Sequence, residues 1–234
     1  MSDKLAADPR IDPRIKHAFR HISLAGGDPV ADREALVERA NSAKANAIRA
    51  QLEAWLGSMD SEEVASSAGL RCNEIEISSA PDGNTIKLLS IRPDDDRVLP
   101  CVYYIHGGGM AFWSCFYGNY RAFARMIAHN DVAVVMVEFR NAVVPGAVPE
   151  TAPYPAGLND CVSGLRWLSE NATSLGVDAG RIVVAGDSGG GNLTLATGMR
   201  LIRDGDVGLI HGVYALCPYI AGSWPRDDCP SSPR

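Results

Sequence analysis

The run Gly186-Asp187-Ser188-Gly189-Gly190-Gly191-Asn192 constrains this chain more than any other stretch. It follows the β-branched segment Arg181-Ile182-Val183-Val184-Ala185 and precedes a helix-like pattern from Leu193 to Arg200. A serine flanked as Gly-x-Ser-x-Gly between a strand and a helix calls for a very sharp turn. A side chain at either flank would strike the neighbouring element. Upstream, His106-Gly107-Gly108-Gly109 stands in the same relation to the apolar run Val102-Tyr103-Tyr104-Ile105. Glycines there let backbone N–H groups approach a ligand with no Cβ in the way. A glycine-rich turn without chemistry accounts for either motif alone, and poorly for both in this order.

A rival reading exists for the same residues. Gly-Asp-Ser-Gly-Gly also surrounds the nucleophile of chymotrypsin-like proteases, whose histidine and aspartate precede the serine. Those are disulfide-bonded double β-barrels. Here the serine opens a helix, and the six cysteines (Cys72, Cys101, Cys115, Cys161, Cys217, Cys229) are scattered without pairing pattern. None of the five histidines sits in a catalytic-histidine context of that family.

Composition narrows the remaining classes. A length of 234 residues suffices for one sizeable α/β domain with a buried core. The formal net charge of −6, with no basic patch to neutralise phosphates, argues against a nucleic-acid partner. No apolar run reaches membrane-spanning length, and the start Met1-Ser2-Asp3-Lys4 lacks the apolar core of a secretory signal. Irregular cysteines without Cys-x-x-Cys fit a reducing, cytoplasmic setting and offer no metal site. No cofactor is expected.

Three regions are expected along the chain. Residues 1–65 read as a helical segment, with one long helix pattern from Asp32 to Gly57 carried by Leu36, Val37, Ala40, Ala43, Ala47, Ile48, Leu52, Trp55 and Leu56. Its apolar stripe either packs plainly on the sheet or caps an active site. Residues 66–224 begin with a hairpin, 72–77 against 85–91 across Pro81-Asp82-Gly83-Asn84. Continuous apolar strands follow at 102–105, 132–139, 182–185 and 210–216, with helices at 120–129, 155–170 and 190–203. That alternation predicts an α/β fold, a mostly parallel sheet with helices on both faces. Residues 225–234, rich in Pro, Ser and Asp, are expected to be an unstructured tail.

With both motifs placed, the chain resembles the hormone-sensitive-lipase-like carboxylesterases, a branch of the α/β-hydrolases. The resemblance rests on His106-Gly107-Gly108-Gly109, Glu138-Phe139-Arg140-Asn141-Ala142, Pro153-Tyr154-Pro155-Ala156-Gly157-Leu158-Asn159-Asp160 and Gly186-Asp187-Ser188-Gly189-Gly190. Residues 143–151 look like an insertion relative to that family. The resemblance implies an N-terminal helical cap and a serine esterase for small apolar acyl esters, working through an acyl-serine intermediate. Ser188 would be the nucleophile, and the backbone N–H groups of Gly108, Gly109 and Gly189 the oxyanion hole. His106 and Gly107 would support the oxyanion loop. Asp187 would fix the loop by hydrogen bonding instead of acting as the triad acid.

One departure from the family is plain. The α/β-hydrolase triad runs serine, acid, histidine in chain order. After Ser188 the sole histidine is His211, at the start of a strand pattern. The chain therefore reads as a C-terminally truncated member, lacking the last strands and the catalytic Asp and His. Strand 210–216 would then form an exposed sheet edge inviting self-association. Two further readings stay open: a non-catalytic, receptor-like ligand-binding protein on the same fold, and an inactive fragment.

Overall fold

Every residue of β4 (Ala133–Glu138) is buried, which requires a sheet covered on both faces. Its side chains alternate between two cores. Val135 and Val137 join Tyr103, Ile105, Leu165, Ile182 and Val184, whereas Val134 and Met136 join Leu89, Ile91, Tyr104 and Ala124. This period of two is why a strand buried on both sides shows no polar alternation in the sequence.

The computed structural model describes residues 7–19 and 30–220. The strands are β1 (Leu70–Ser78), β2 (Thr85–Pro93), β3 (Leu99–Ile105), β4, β5 (Val177–Asp187) and β6 (Gly212–Leu216). They form one open sheet in the order β1-β2-β4-β3-β5-β6. The expected hairpin is β1 against β2, and β2 runs antiparallel to β4; from β4 through β3 and β5 to β6 all pairs are parallel. The crossover helix α4 (Gly118–Ala128) sends Tyr120 and Ala124 into one core. On the opposite face α5 (Ala156–Glu170) and α6 (Gly189–Asp204) contribute Leu158, Leu165, Leu193 and Leu201.

The topology fixes where a site can form. The chain leaves β3 toward β4 on one side and leaves β5 toward β6 on the other. Adjacent parallel strands whose connections diverge open a crevice beyond their carboxyl ends. Both glycine motifs emerge there, after Ile105 of β3 and after Asp187 of β5.

Two compact units are distinguished, residues 1–36 and 37–234. The first carries α1 (Pro13–Phe19) and the start of α2 (Arg33–Ala40). The single helix expected from Asp32 to Gly57 is divided instead: α2 ends at Ala40 and α3 (Ala43–Gly57) begins anew. Ser42 is the cause. It adopts extended backbone and caps α3, its hydroxyl accepting from Ala45 N–H at 3.3 Å. Ile48, counted in the apolar stripe, is 57% exposed. The end of α3 is tied to α4 through Asp60, which accepts from Arg121 Nε at 3.1 Å and from Arg125. Strand β6 starts two residues later than expected, because a 3-10 turn at Val207–Leu209 precedes it. It forms one end of the sheet, with Val213, Tyr214 and Leu216 exposed. The tail expected at 225–234 lies outside the described residues. Among the described residues no helix is long and apolar enough to cross a membrane.

One buried ion pair ties the chain after β4 to α5. Asp160, fully buried, accepts from Arg140 N, Nε and Nη2 at 2.9, 2.9 and 3.0 Å and from Ser79 Oγ at 2.6 Å. Removing one partner of such a pair strands a buried charge, at about 3–5 kcal/mol. Asp160→Ala should lower the unfolding free energy by about that amount in urea titration, and a loss below about 1 kcal/mol would contradict the network's structural role.

Candidate active site

Ser188 sits at the sharp bend between β5 and α6 with φ 52° and ψ −118°, a region non-glycine residues rarely occupy. Its N–H donates to Leu216 O of β6 at 2.8 Å, and its carbonyl accepts from Asn192 N–H at 3.1 Å. The bend is held from both sides, and the Ser188 residue is exposed. Gly190 shows why the motif is built of glycine. A Cβ there would lie 2.5 Å from His106 O and nearer still to Ile105 O. The first turn of α6 thus rests backbone to backbone on the end of β3.

The second motif meets the first across this contact. Gly108 has φ +98°, and its carbonyl accepts from Ala111 N–H at 3.0 Å and Phe112 N–H at 3.2 Å, closing a tight turn. A Cβ placed on Gly189 would lie 2.7 Å from Gly109 N and 2.6 Å from Met110 N. Among the described residues the amides of Gly108, Gly109 and Met110 have no hydrogen-bond acceptor. Gly189 opens α6, where the helix leaves its first amides unpaired. Unpaired backbone donors therefore gather beside Ser188. Met110 belongs to that group by position, which a Gly-Gly-Gly pattern has no means of marking.

Three side-chain groups hold this loop. His106 is fully buried, stacked on Phe139 at 4.3 Å and 13°, and its Nδ1–H donates to Gly107 O at 2.8 Å. Its Nε2 lies 3.9 Å from the Glu138 carboxylate. Burial pushes the imidazole below its ordinary value, against the pull of Glu138. Asp187 accepts from Tyr104 Oη–H at 2.9 Å and Tyr120 Oη–H at 3.3 Å, and Tyr120 Oη in turn accepts from Gly107 N–H at 2.8 Å. Burial, and then Asp187 itself, push both phenols well above their ordinary range, so they remain donors. Glu138 accepts from Ser114 Oγ, Cys115 N–H and Ala147 N–H. Sequence reading anticipates Asp187 as a loop-fixing hydrogen-bonder but not its tyrosine partners, and it misses the role of Glu138, although an acid ending the apolar run 134–137 was a visible signal.

The remaining histidines of residues 37–220 lie elsewhere. His211 N–H donates to Ile182 O, six residues before Ser188 along β5, which at ~3.3 Å per residue is roughly 20 Å away. His129 follows α4 and bonds Ser66 O. A cavity of about 500 Å³ lies between α3 and the arm beyond the glycine loop, lined by Asn46, Arg49, Glu53, Ser114, Tyr117 and Ala147 among others.

Comparison with known proteins follows the same lines. Residues 102–231 match the family described as alpha/beta hydrolase fold. Carboxylesterase NlhH of Mycobacterium tuberculosis (strain CDC 1551 / Oshkosh) is 43% identical over 106 residues, 45% of this chain and 30% of NlhH. Arylacetamide deacetylase of Bos taurus is 37% identical over 109 residues, 45% of this chain and 26% of its own. The solved structure of esterase Est22 is 60% identical, with a TM-score of 0.93 over 97% of this chain and 66% of Est22. Brefeldin A esterase, a bacterial homologue of human hormone sensitive lipase, is 32% identical, with a TM-score of 0.75 over 95% of this chain and 61% of its own. The chain thus spans a little under two thirds of these solved structures and under a third of these curated relatives.

Tyr120→Phe tests the loop's anchoring. It leaves the buried Gly107 N–H without an acceptor, an effect of about 1–3 kcal/mol. The expected result is that loss of stability together with faster amide exchange at Gly107. Unchanged stability and exchange would show that the phenol does not hold the loop.

Proposed function

The chain belongs to the α/β-hydrolase-fold family, and from that membership we propose that it is a carboxylic-ester hydrolase for small, fairly apolar acyl esters, with Ser188 as nucleophile. The observation that carries this reading is the group of unpaired amides at Gly108, Gly109 and Gly189 beside the exposed serine on its strained turn. In the proposed reaction Ser188 Oγ attacks the ester carbonyl, and its proton passes to a base and then to the departing alcohol. The carbonyl oxygen becomes an oxyanion as the tetrahedral intermediate forms. Backbone donors aimed at that oxygen stabilise the transition state, at about 3 kcal/mol for a single donor. The start of α6 adds its positive end to the same spot. Water then cleaves the acyl-Ser188 ester and releases the acid.

A serine hydroxyl is a weak nucleophile without a base. His106 is turned into the protein, and His129 and His211 are placed elsewhere, so the reading takes the base and its acid partner from outside residues 37–220. The helical segment before the sheet is read as a cap, and its helix α3 borders the cavity lined by Asn46, Arg49 and Glu53.

A fluorophosphonate probe followed by peptide mapping tests the assignment. Labelling is expected at Ser188 and is expected to vanish in Ser188→Ala, along with any hydrolysis of p-nitrophenyl butyrate. Loss of the serine from a working triad costs on the order of a million-fold in turnover. Labelling at another residue, or hydrolysis that survives Ser188→Ala, would overturn it.

A further inference from the structure

Glu138 closes β4 at the carboxyl end of the parallel strands, the end where Ser188 follows β5, and it has no exposed surface. A carboxylate buried this deeply is costly unless both oxygens find donors. Its Oε2 accepts from Ser114 Oγ–H and Cys115 N–H, each at 2.8 Å, and its Oε1 accepts from Ala147 N–H at 2.5 Å. The first two donors lie on the arm that continues the glycine loop. The third lies in the segment 143–151, which looked like an insertion. That segment and its approach also grip the main chain of the loop. Ala142 N–H reaches Met110 O at 2.9 Å, Val144 N–H reaches Ala111 O at 2.8 Å, and Asn141 Nδ2 reaches Trp113 O at 2.8 Å. Gly146 passes so close to Glu138 Oε1 that a Cβ there would collide with it.

We propose that Glu138 is a positioning residue for the oxyanion loop: its two carboxylate oxygens lock the arm at Ser114 and Cys115 to the segment at Gly146 and Ala147, holding the amides of residues 108–110 toward Ser188. The proposal rests on reading that loop and Ser188 as an ester-hydrolysing site. An acceptor is required at both oxygens of this side chain, because each faces a backbone N–H. Glutamine has nearly the same shape but one oxygen and one NH₂. Either flip sets its NH₂ against Cys115 N–H or against Ala147 N–H. Ser114 can rotate its hydroxyl to accept, whereas the two amides cannot. Aspartate keeps the charge and the acceptors on a shorter stem, so it restores part of the clamp.

The test is amide hydrogen exchange by mass spectrometry on the full chain, comparing the parent with Glu138→Gln and Glu138→Asp, with ester hydrolysis measured alongside. Glu138→Gln should raise exchange across residues 107–117 and 144–147 by about tenfold or more, leaving β5 and α6 protected. Its kcat should fall by roughly 10- to 100-fold while KM stays within about twofold, since the donors act mainly in the transition state. Glu138→Asp should recover part of both. Unchanged loop exchange in Glu138→Gln overturns the proposal, as does loosened exchange with an unchanged kcat. If Glu138→Gln unfolds the sheet as a whole, Ser114→Ala decides by the same selective exchange, and no loosening there overturns the clamp. Hydrolysis that survives Ser188→Ala would instead remove the esterase reading, and loop exchange would still report on the clamp.

Discussion

The contact between Gly190 and the carbonyls of Ile105 and His106 is the constraint on which the rest of this site depends. A helix start and a strand end approach closer than any side chain allows. That approach sets Gly189 within reach of the loop amides at Gly109 and Met110. It is possible because β3 and β5 are neighbours whose connections diverge, which opens a crevice beyond their carboxyl ends. An alanine at 190 would force α6 away from β3 and separate the serine from the amides.

Two acids, Glu138 buried and Asp187 half-buried, then turn a flexible glycine loop into a fixed one. Asp187 holds the loop's beginning through Tyr120, whose hydroxyl bonds Gly107 N–H, while Glu138 holds its far arm at Ser114 and Cys115. Each acid is an acceptor placed among donors of the loop and its neighbours, so satisfying those donors fixes the geometry. Among the described residues the amides of Gly108, Gly109 and Met110 are left without an acceptor. In the proposed mechanism this pre-arrangement is what makes the donors effective, because they need not reorganise as charge develops.

Much of this was legible beforehand. Apolar strands alternating with helices gave the sheet and its cover, and the two glycine motifs gave the placement of Ser188 and the loop. The expected kinship with hormone-sensitive-lipase-like esterases is borne out by the family match and by the likeness to brefeldin A esterase and Est22. What escaped was long-range and polar. Ser42 broke a helix whose apolar periodicity ran straight through it, since a cap competes locally with a pattern that only counts burial. Glu138 fell inside the strand expected at 132–139 and in a segment of the family resemblance, with no role given to its side chain, and its three donors lie 9 to 24 residues away in sequence. Asp187 was read as a loop-fixing hydrogen-bonder, but its tyrosine partners, 67 and 83 residues distant, leave no mark in any local motif.

The most direct measurement is a crystal structure of the chain with a phosphonate bonded to Ser188 Oγ. If Ser188 and the loop amides act together, the phosphoryl oxygen will lie about 2.7–3.1 Å from the backbone nitrogens of Gly189 and of the loop at 108–110. An adduct whose oxygen points to solvent, with those amides unengaged, would contradict the joint role of the two motifs.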